Sequence, residues 1–389
     1  MRSHHILIAG AGMGGLAAAL GCARAGLRVT LAEQAETLGE VGAGLTLSSN
    51  ATHGVNWLGL SRLLLEKANV PAEGGVRHWS SGRVMVSTAR GDKQLLKYGA
   101  NYLQIHRADF HAGLSEALSL YPNATMLTGH KLIGFDQTES QVTARFANGR
   151  AITADAMIAA DGIRSGVRQT MLQTTPPRFT GQVAWRGLVP LKKLGRDAVQ
   201  PDSAVSIGPG RIFNRYLIRN SRIVNYVALV QKTGWEEESW TIRSTVAELA
   251  AEFEGWHETI RAIIAATDPD QCFKWALFDR DPLPRWHEGR VALLGDAAHP
   301  MLPFLGQGAA MAIEDGVVLA RAMAKYRDIP EALARYEAAR KPRATEVMLN
   351  SRQQGMSYQR ADTETYSPAD HGATHNDKLF GYNPVTAPI

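Results

Sequence analysis

The sequence predicts an α/β fold in two parts: a parallel-sheet domain that binds a dinucleotide, and a second, mostly antiparallel sheet domain. Three observations carry that prediction. Residues 5–33 read as strand, glycine turn, small-residue helix and strand. Two further apolar runs, AMIAA from 156 and VALLG from 291, each lead into a turn that carries an aspartate, Asp161 and Asp296. Between 178 and 284 the pattern changes to alternating, aromatic-rich segments, as expected for strands with one face buried.

HILIA (5–9) is short enough for a buried strand, and LAAALGCARAG is a helix that stops at Gly26 before the strand LRVTLAE. Gly10, Gly12 and Gly15 form GxGxxG between them. In that Rossmann-like context the first glycine permits a tight turn, the second admits a pyrophosphate, and the third lets helix and strand pack closely. Glu33 ends the second strand, where a carboxylate can accept both hydroxyls of an adenosine ribose. It would repel a ribose phosphate, so the site suits FAD or NAD rather than NADP.

After VALLG come Pro300, Pro303, Gly306 and Gly308, then the amphipathic AAMAIEDGVVLARAMAKY. A turn opening a helix gathers N–H groups and the positive end of a helix dipole, which favours negative charge. The pyrimidine ring of a reduced flavin carries such a charge, and a ribityl or phosphate oxygen would suit Asp296 or the nearby amides. Asp161–Gly162 follows the other run; Asp-Gly alone is ordinary turn chemistry.

Elsewhere, Gly42 and Gly44 are turn glycines before a helix capped near Ser49 or Asn50. Residues 75–100 suggest hairpin strands. Arg107 sits at a turn beside Asp109, a candidate helix cap, and Asn148–Gly149 marks a hairpin. Pro176–Pro177 marks a boundary, a helical patch lies near 244–266, and a long helix starts near 330. The expected division is 1–72, 101–175 and 285–355 for the dinucleotide domain, and 73–100 with 176–284 for the substrate sheet. The tail, 356–389, has little periodicity and is expected along the surface or against a second subunit, as in a homodimer.

Of 389 residues, 45% are apolar and 20% charged, ordinary for a globular protein. The formal charge of +5 is mild and scattered, which argues against nucleic acid and favours anionic ligands. Two distant cysteines, Cys22 and Cys272, exclude a disulfide framework and a zinc site, and fit the cytoplasm. Residues 6–23 are uncharged but glycine-rich, so no membrane span is expected.

In order and spacing the three motifs resemble the class A flavoprotein aromatic hydroxylases, in the branch of the salicylate, 3-hydroxybenzoate and 6-hydroxynicotinate hydroxylases, over residues 5–350. The resemblance implies an FAD enzyme that uses NADH or NADPH, NADH favoured, and O2 to hydroxylate a small, hydroxylated and carboxylated aromatic through a flavin C4a-hydroperoxide. It places Gly44 over the flavin, Arg107 on the pyrophosphate, Asp161 and Gly162 at ribityl or nicotinamide-side hydroxyls, and Gly306 and Gly308 against the reduced ring. It puts Thr46 and Tyr216 at the substrate and the Pro303 carbonyl near the reacting ring. Arg186, Arg215 or Tyr216 would orient a carboxylate or phenol. Ile212 and Thr46 stand where some relatives carry a histidine (or, at Thr46, a glutamine), so a histidine that ionises the phenol is not expected, and His299 reads as structural. A flavin epoxidase or a flavin-binding protein without turnover are the alternatives.

Overall fold

The computed structural model describes residues 3–39, 42–195, 199–232, 234, 242–360, 363–367 and 373–389. Pro368 and Gly372, read above as part of an aperiodic tail, lie outside them. The chain opens with β1 (His5–Ala9), α1 (Met13–Arg24) and β2 (Arg28–Ala32). It continues through β3 (Gly44–Leu47), α2 (Ser49–Trp57), α3 (Ser61–Lys67), β4 (Glu73–His78), β5 (Val84–Ala89), α4 (Asp92–Tyr98), β6 (Leu103–His106) and α5 (Arg107–Ser119). Then come β7 (Ala124–Leu127), the meander β8 (Leu132–Gln137), β9 (Val142–Phe146) and β10 (Ala151–Ala154), β11 (Ala156–Ala159) and α6 (Gly166–Leu172).

The central sheet runs in the order β17-β18-β11-β1-β2-β7, where β17 is His287–Glu288 and β18 Val291–Leu293. It is parallel except for the β17 edge. Every residue of β1, β11 and β18 is buried, as a parallel sheet covered on both faces requires. Helices α1 and α9 (Gly308–Lys325) cover one face at very close range. A Cβ on Gly316 would stand 2.7 Å from the Ala18 nitrogen, so only glycine lets the two backbones meet there.

The second domain holds β12 (Arg178–Pro190), β13 (Ser203–Gly208), β14 (Arg211–Ile218), β15 (Ile223–Gln231), α7 (Val246–Glu252), α8 (Glu258–Ala265) and β16 (Phe273–Asp279). Its sheet, β16-β12-β15-β14-β13-β4-β5, is antiparallel except where β13 meets β4. One face packs Trp185, Phe213 and Tyr226 on Phe253 and Trp256 beneath α7 and α8. The other packs Ala184, Ile212 and Trp275 against Leu302 and Tyr358 of the first domain. The two sheets are therefore held face to helix, with a chamber at the join.

Three expectations need correction. Residues 92–98 form α4 rather than strand, because Asp92 and Lys97 complement the helix dipole and Gly99, at φ +73°, stops the helix. Helix α2 is capped one residue early, at Ser48. The described part of the tail is not aperiodic: after α10 (Ile329–Tyr358), which runs through Pro342, α11 (Ala373–Phe380) forms and buries Leu379 and Phe380 against the same chain. Arg321 then donates to the Pro384 carbonyl at 2.7 Å and Tyr326 to that of Ile389 at 3.0 Å.

Candidate active site

The three motifs meet because β1, β11 and β18 are neighbours, and each turn leaves the carboxyl end of its strand. Gly10 has φ +108°, and a Cβ there would lie 2.3 Å from the Ala160 carbonyl oxygen. Leu294 N–H donates to the Ala159 carbonyl at 2.9 Å. Arg168, at the core of α6 and 2% exposed, ties the second motif to the third. Its guanidinium donates to the carbonyls of Asp296 at 3.3 Å, Ala297 at 3.0 Å and Ile163. Burial, with Arg280 nearby, lowers its pKa to about 10. The sequence stretch containing Arg168 was legible, but its part as a staple between two motifs was not.

The same turns make a cradle that fits FAD. A Cβ on Gly15 would lie 1.8 Å from the Gly10 oxygen, so this glycine seats the helix on the turn. Gly12 caps α1, and a Cβ there would meet nothing within 4 Å, leaving a face that a pyrophosphate can approach. Glu33 accepts from Ala11 N–H at 2.7 Å and Ala35 N–H at 2.9 Å, and each oxygen keeps a lone pair for a ribose hydroxyl. Asp161 accepts only a long bond from Val167 N–H, 3.4 Å, through Oδ2, while its buried Oδ1 has no partner among the described residues. A hydroxyl donor from a ligand would satisfy it. Asp296 is exposed in the cleft, with Arg107, Arg168 and His299 in electrostatic reach. Gly306, at φ +63°, turns the chain into α9, which begins at Gly308.

Arg107 opens α5, its N–H bonded to the Ala43 carbonyl at 2.8 Å. Asp109 is not the cap: His106 Nδ1 accepts from Ala108 N–H instead. Asp109 accepts two bonds from Arg219, at 2.9 and 2.8 Å, so it is Arg219 rather than Arg107 that holds it.

Beside the turn of the third motif lies a recess of about 820 Å³, counted with its open mouth, at the join of the two domains. Pro303 and Gly306 form one wall, Thr46 and Tyr216 another, and Arg90, Tyr102, Tyr358 and Phe380 the far end. Tyr216 is hydrogen-bonded to Thr46, and its hydroxyl packs against Gly44, whose N–H donates to Asn225 at 2.6 Å. Burial raises the Tyr216 phenol well above its ordinary pKa, against the opposing bond from Thr46, so it stays protonated.

Two expected site residues are elsewhere. Successive side chains of a strand point to opposite faces, so Tyr216 faces the recess while Arg215 faces the α7–α8 side. Arg215 is spent on the carbonyls of Val199 and Pro201, each at 2.7 Å, and Gln200 at 3.1 Å; burial lowers its pKa to about 10. Arg186 shares the recess-side face with Ala184, but its guanidinium leans over the rings of Phe273 and Trp275 on β16, away from β14. The arginine that does line the recess is Arg90, which no motif marks. Ile212 is buried in the apolar cluster between the domains. His299, 2% exposed, bonds Asp315 at 2.5 Å rather than facing the recess.

Comparison with known proteins agrees with this geometry. A family model described as FAD binding domain matches residues 3–351. The chain is 36% identical over 350 residues to 6-hydroxynicotinate 3-monooxygenase of Pseudomonas fluorescens, covering 89% of this chain and 90% of that one. It is 34% identical over 356 residues to 3-hydroxybenzoate 6-hydroxylase 1 of Aquipseudomonas alcaligenes, covering 90% and 88%. A salicylate hydroxylase substrate complex superposes with a TM-score of 0.83 at 27% identity, over 98% of this chain and 96% of that one. With three FAD motifs brought to one cleft and a match across nearly the whole chain, the protein belongs to the FAD binding domain family, among its class A flavin-dependent hydroxylases.

Proposed function

We propose that this monooxygenase hydroxylates a small aromatic ring bearing a hydroxyl or amino group and a carboxylate, with NAD(P)H and O2 as co-substrates. One observation carries the proposal: the recess shares the Pro303–Gly306 turn with the FAD cradle, so a ring held there lies against the cofactor's site. The relatives named above act, by their names, on hydroxylated aromatic acids, which supports the same substrate class. When bound, FAD takes a hydride from NAD(P)H and activates O2, one oxygen going to the ring and the other to water.

The protein's part is positioning and exclusion of water. Tyr216, neutral and backed by Thr46, presents a phenol that can bond a ring substituent. Phe304, Leu305, Leu379 and Phe380 give the recess apolar wall. Its described lining contains no histidine, aspartate or glutamate, so no side-chain carboxylate or imidazole there takes the substrate's proton. Among the described residues no helix is long and apolar enough to cross a membrane. The buried, unpaired Cys22 and Cys272 suit a reducing cytoplasm, where we place the enzyme.

The test is oxygen uptake by the FAD-loaded protein with NADH or NADPH across a panel of aromatic acids, with product masses. A ring acid that speeds NAD(P)H oxidation and gains one oxygen atom is the expected result. A panel in which none does so overturns the reading.

A further inference from the structure

We propose that Arg90 recognises the carboxylate of the substrate and so selects ring acids over neutral phenols. This rests on the reading of the recess as the substrate chamber.

Arg90 directly follows β5 and reaches into the far end of the recess. Its guanidinium lies 3.9 Å from the Tyr102 ring centroid and 5.6 Å from that of Phe380. Stacking of this kind fixes the plane of the guanidinium and leaves its N–H edge to bond something else. On that edge Nη1 is buried and has no hydrogen-bond partner among the described residues. Where other arginines of the described residues leave a buried nitrogen open, as Arg168 and Arg280 do, it is Nε. The terminal nitrogens of Arg168 and Arg215 are spent on carbonyls, and Arg340 bonds Glu314 and Asp315.

The recess supplies no counter-charge either, since its described lining has no acidic residue. A half-buried cation with an open donor edge, stacked on a tyrosine, suits a planar carboxylate bonded through two parallel N–H···O contacts. A second orphan sits in the same chamber. Gln104 is 1% exposed, donates through Nε2 to Ser203 at 3.0 Å, and leaves Oε1 without a partner. That oxygen can accept from a hydroxyl or amino group on the same ring. Among the described residues, the buried side-chain atoms of the chamber left without partners are thus one on a cation and one acceptor, complementary to an acid that carries a donor.

The test compares FAD-loaded wild type with Arg90→Gln and Arg90→Lys by calorimetric titration. The probes are 3-hydroxybenzoate, salicylate and 6-hydroxynicotinate, each beside its carboxamide. Arg90→Gln is expected to raise the Kd of whichever acid binds by roughly 10- to 100-fold, the worth of hydrogen bonds to a charged group. The carboxamide should shift by less than about threefold, and Arg90→Lys, keeping charge without the fork, should fall between. KM should follow Kd with kcat largely kept, and unchanged FAD content and melting temperature would show that the variants fold. Equal weakening of acid and carboxamide, or no change in either, overturns the proposal. So does a wild type that binds none of the acids. A wild type that binds an acid without faster NAD(P)H oxidation instead overturns the hydroxylase substrate reading, and Arg90 is then judged on Kd alone.

Discussion

Gly12 and Gly15 sit three residues apart in one turn and have opposite reasons to be glycine. At Gly15 a methyl would strike the Gly10 carbonyl, whereas at Gly12 it would enter open space that a pyrophosphate could use. Gly15→Ala is therefore expected to destabilise the FAD-free protein by about 1–3 kcal/mol, the range for overpacking. Gly12→Ala should leave FAD-free melting within a degree or two yet weaken FAD binding at least tenfold, read by flavin fluorescence. Equal effects of both variants on FAD-free stability would contradict this division. Arg215 and Tyr216 form a similar pair, one residue apart on opposite faces of β14. Arg215→Ala should cost about 1–3 kcal/mol in urea unfolding by orphaning carbonyls, with substrate Kd within twofold. Tyr216→Phe should do the reverse, and a Kd change for Arg215→Ala alone would count against the assignment.

At the scale of elements, α2, α9 and α10 are joined by a buried charge network that sequence patterning did not reveal. Glu314 and Asp315, both fully buried on α9, pair with Arg340 of α10. Glu314 also accepts from Arg343 and from Asn50 of α2, and Asp315 from His299 and Gly295 N–H. Such a cluster is expensive to desolvate and more expensive to break. Arg340→Met is expected to destabilise the FAD-loaded protein by about 3–5 kcal/mol, because two carboxylates lose their common cation. A loss under 1 kcal/mol in chemical unfolding would mean that Arg343 and His299 suffice. The network fixes the start of α9 relative to the third motif, and through Gly295 it holds the turn that carries Asp296.

Across the whole molecule, the same network writes a pH dependence. Burial pushes the Asp315 carboxyl up, but His299 and Arg340 outweigh it and bring its pKa down to about 2 from an ordinary 3.8. Glu337 is likewise held at about 2, burial being outweighed by His287 and two backbone N–H groups from Trp286 and His287. Both pKa values are lower in the folded state. Their stabilisation is therefore complete above the ordinary carboxylate range and is lost as pH falls toward 2. Asp315 alone contributes on the order of 2 kcal/mol. Urea unfolding from pH 6 to pH 2.5 should show stability falling most steeply below pH 4.5. Glu337→Gln should flatten that limb, and an unchanged slope would remove Glu337 from the account.

The sequence by itself determined the parallel sheet, the three turns at its carboxyl edge and the cofactor they hold. Those features are local: a run of apolar residues, a glycine where a Cβ cannot fit, an aspartate at a strand end. Glu33, Asp161 and Gly306 could be read because each lies within a few residues of the pattern that gives it meaning. Alternation could also separate Arg215 from Tyr216 in principle, but which face looked toward the cofactor was not written in the strand. Arg90, Gln104 and Phe380 reach one chamber from a hairpin end, a short strand and the tail helix, and nothing in their own neighbourhoods marks them. Only the tertiary structure decided the recess at the join of the domains and the buried charges behind it, because both are made of side chains whose partners lie tens to hundreds of residues away.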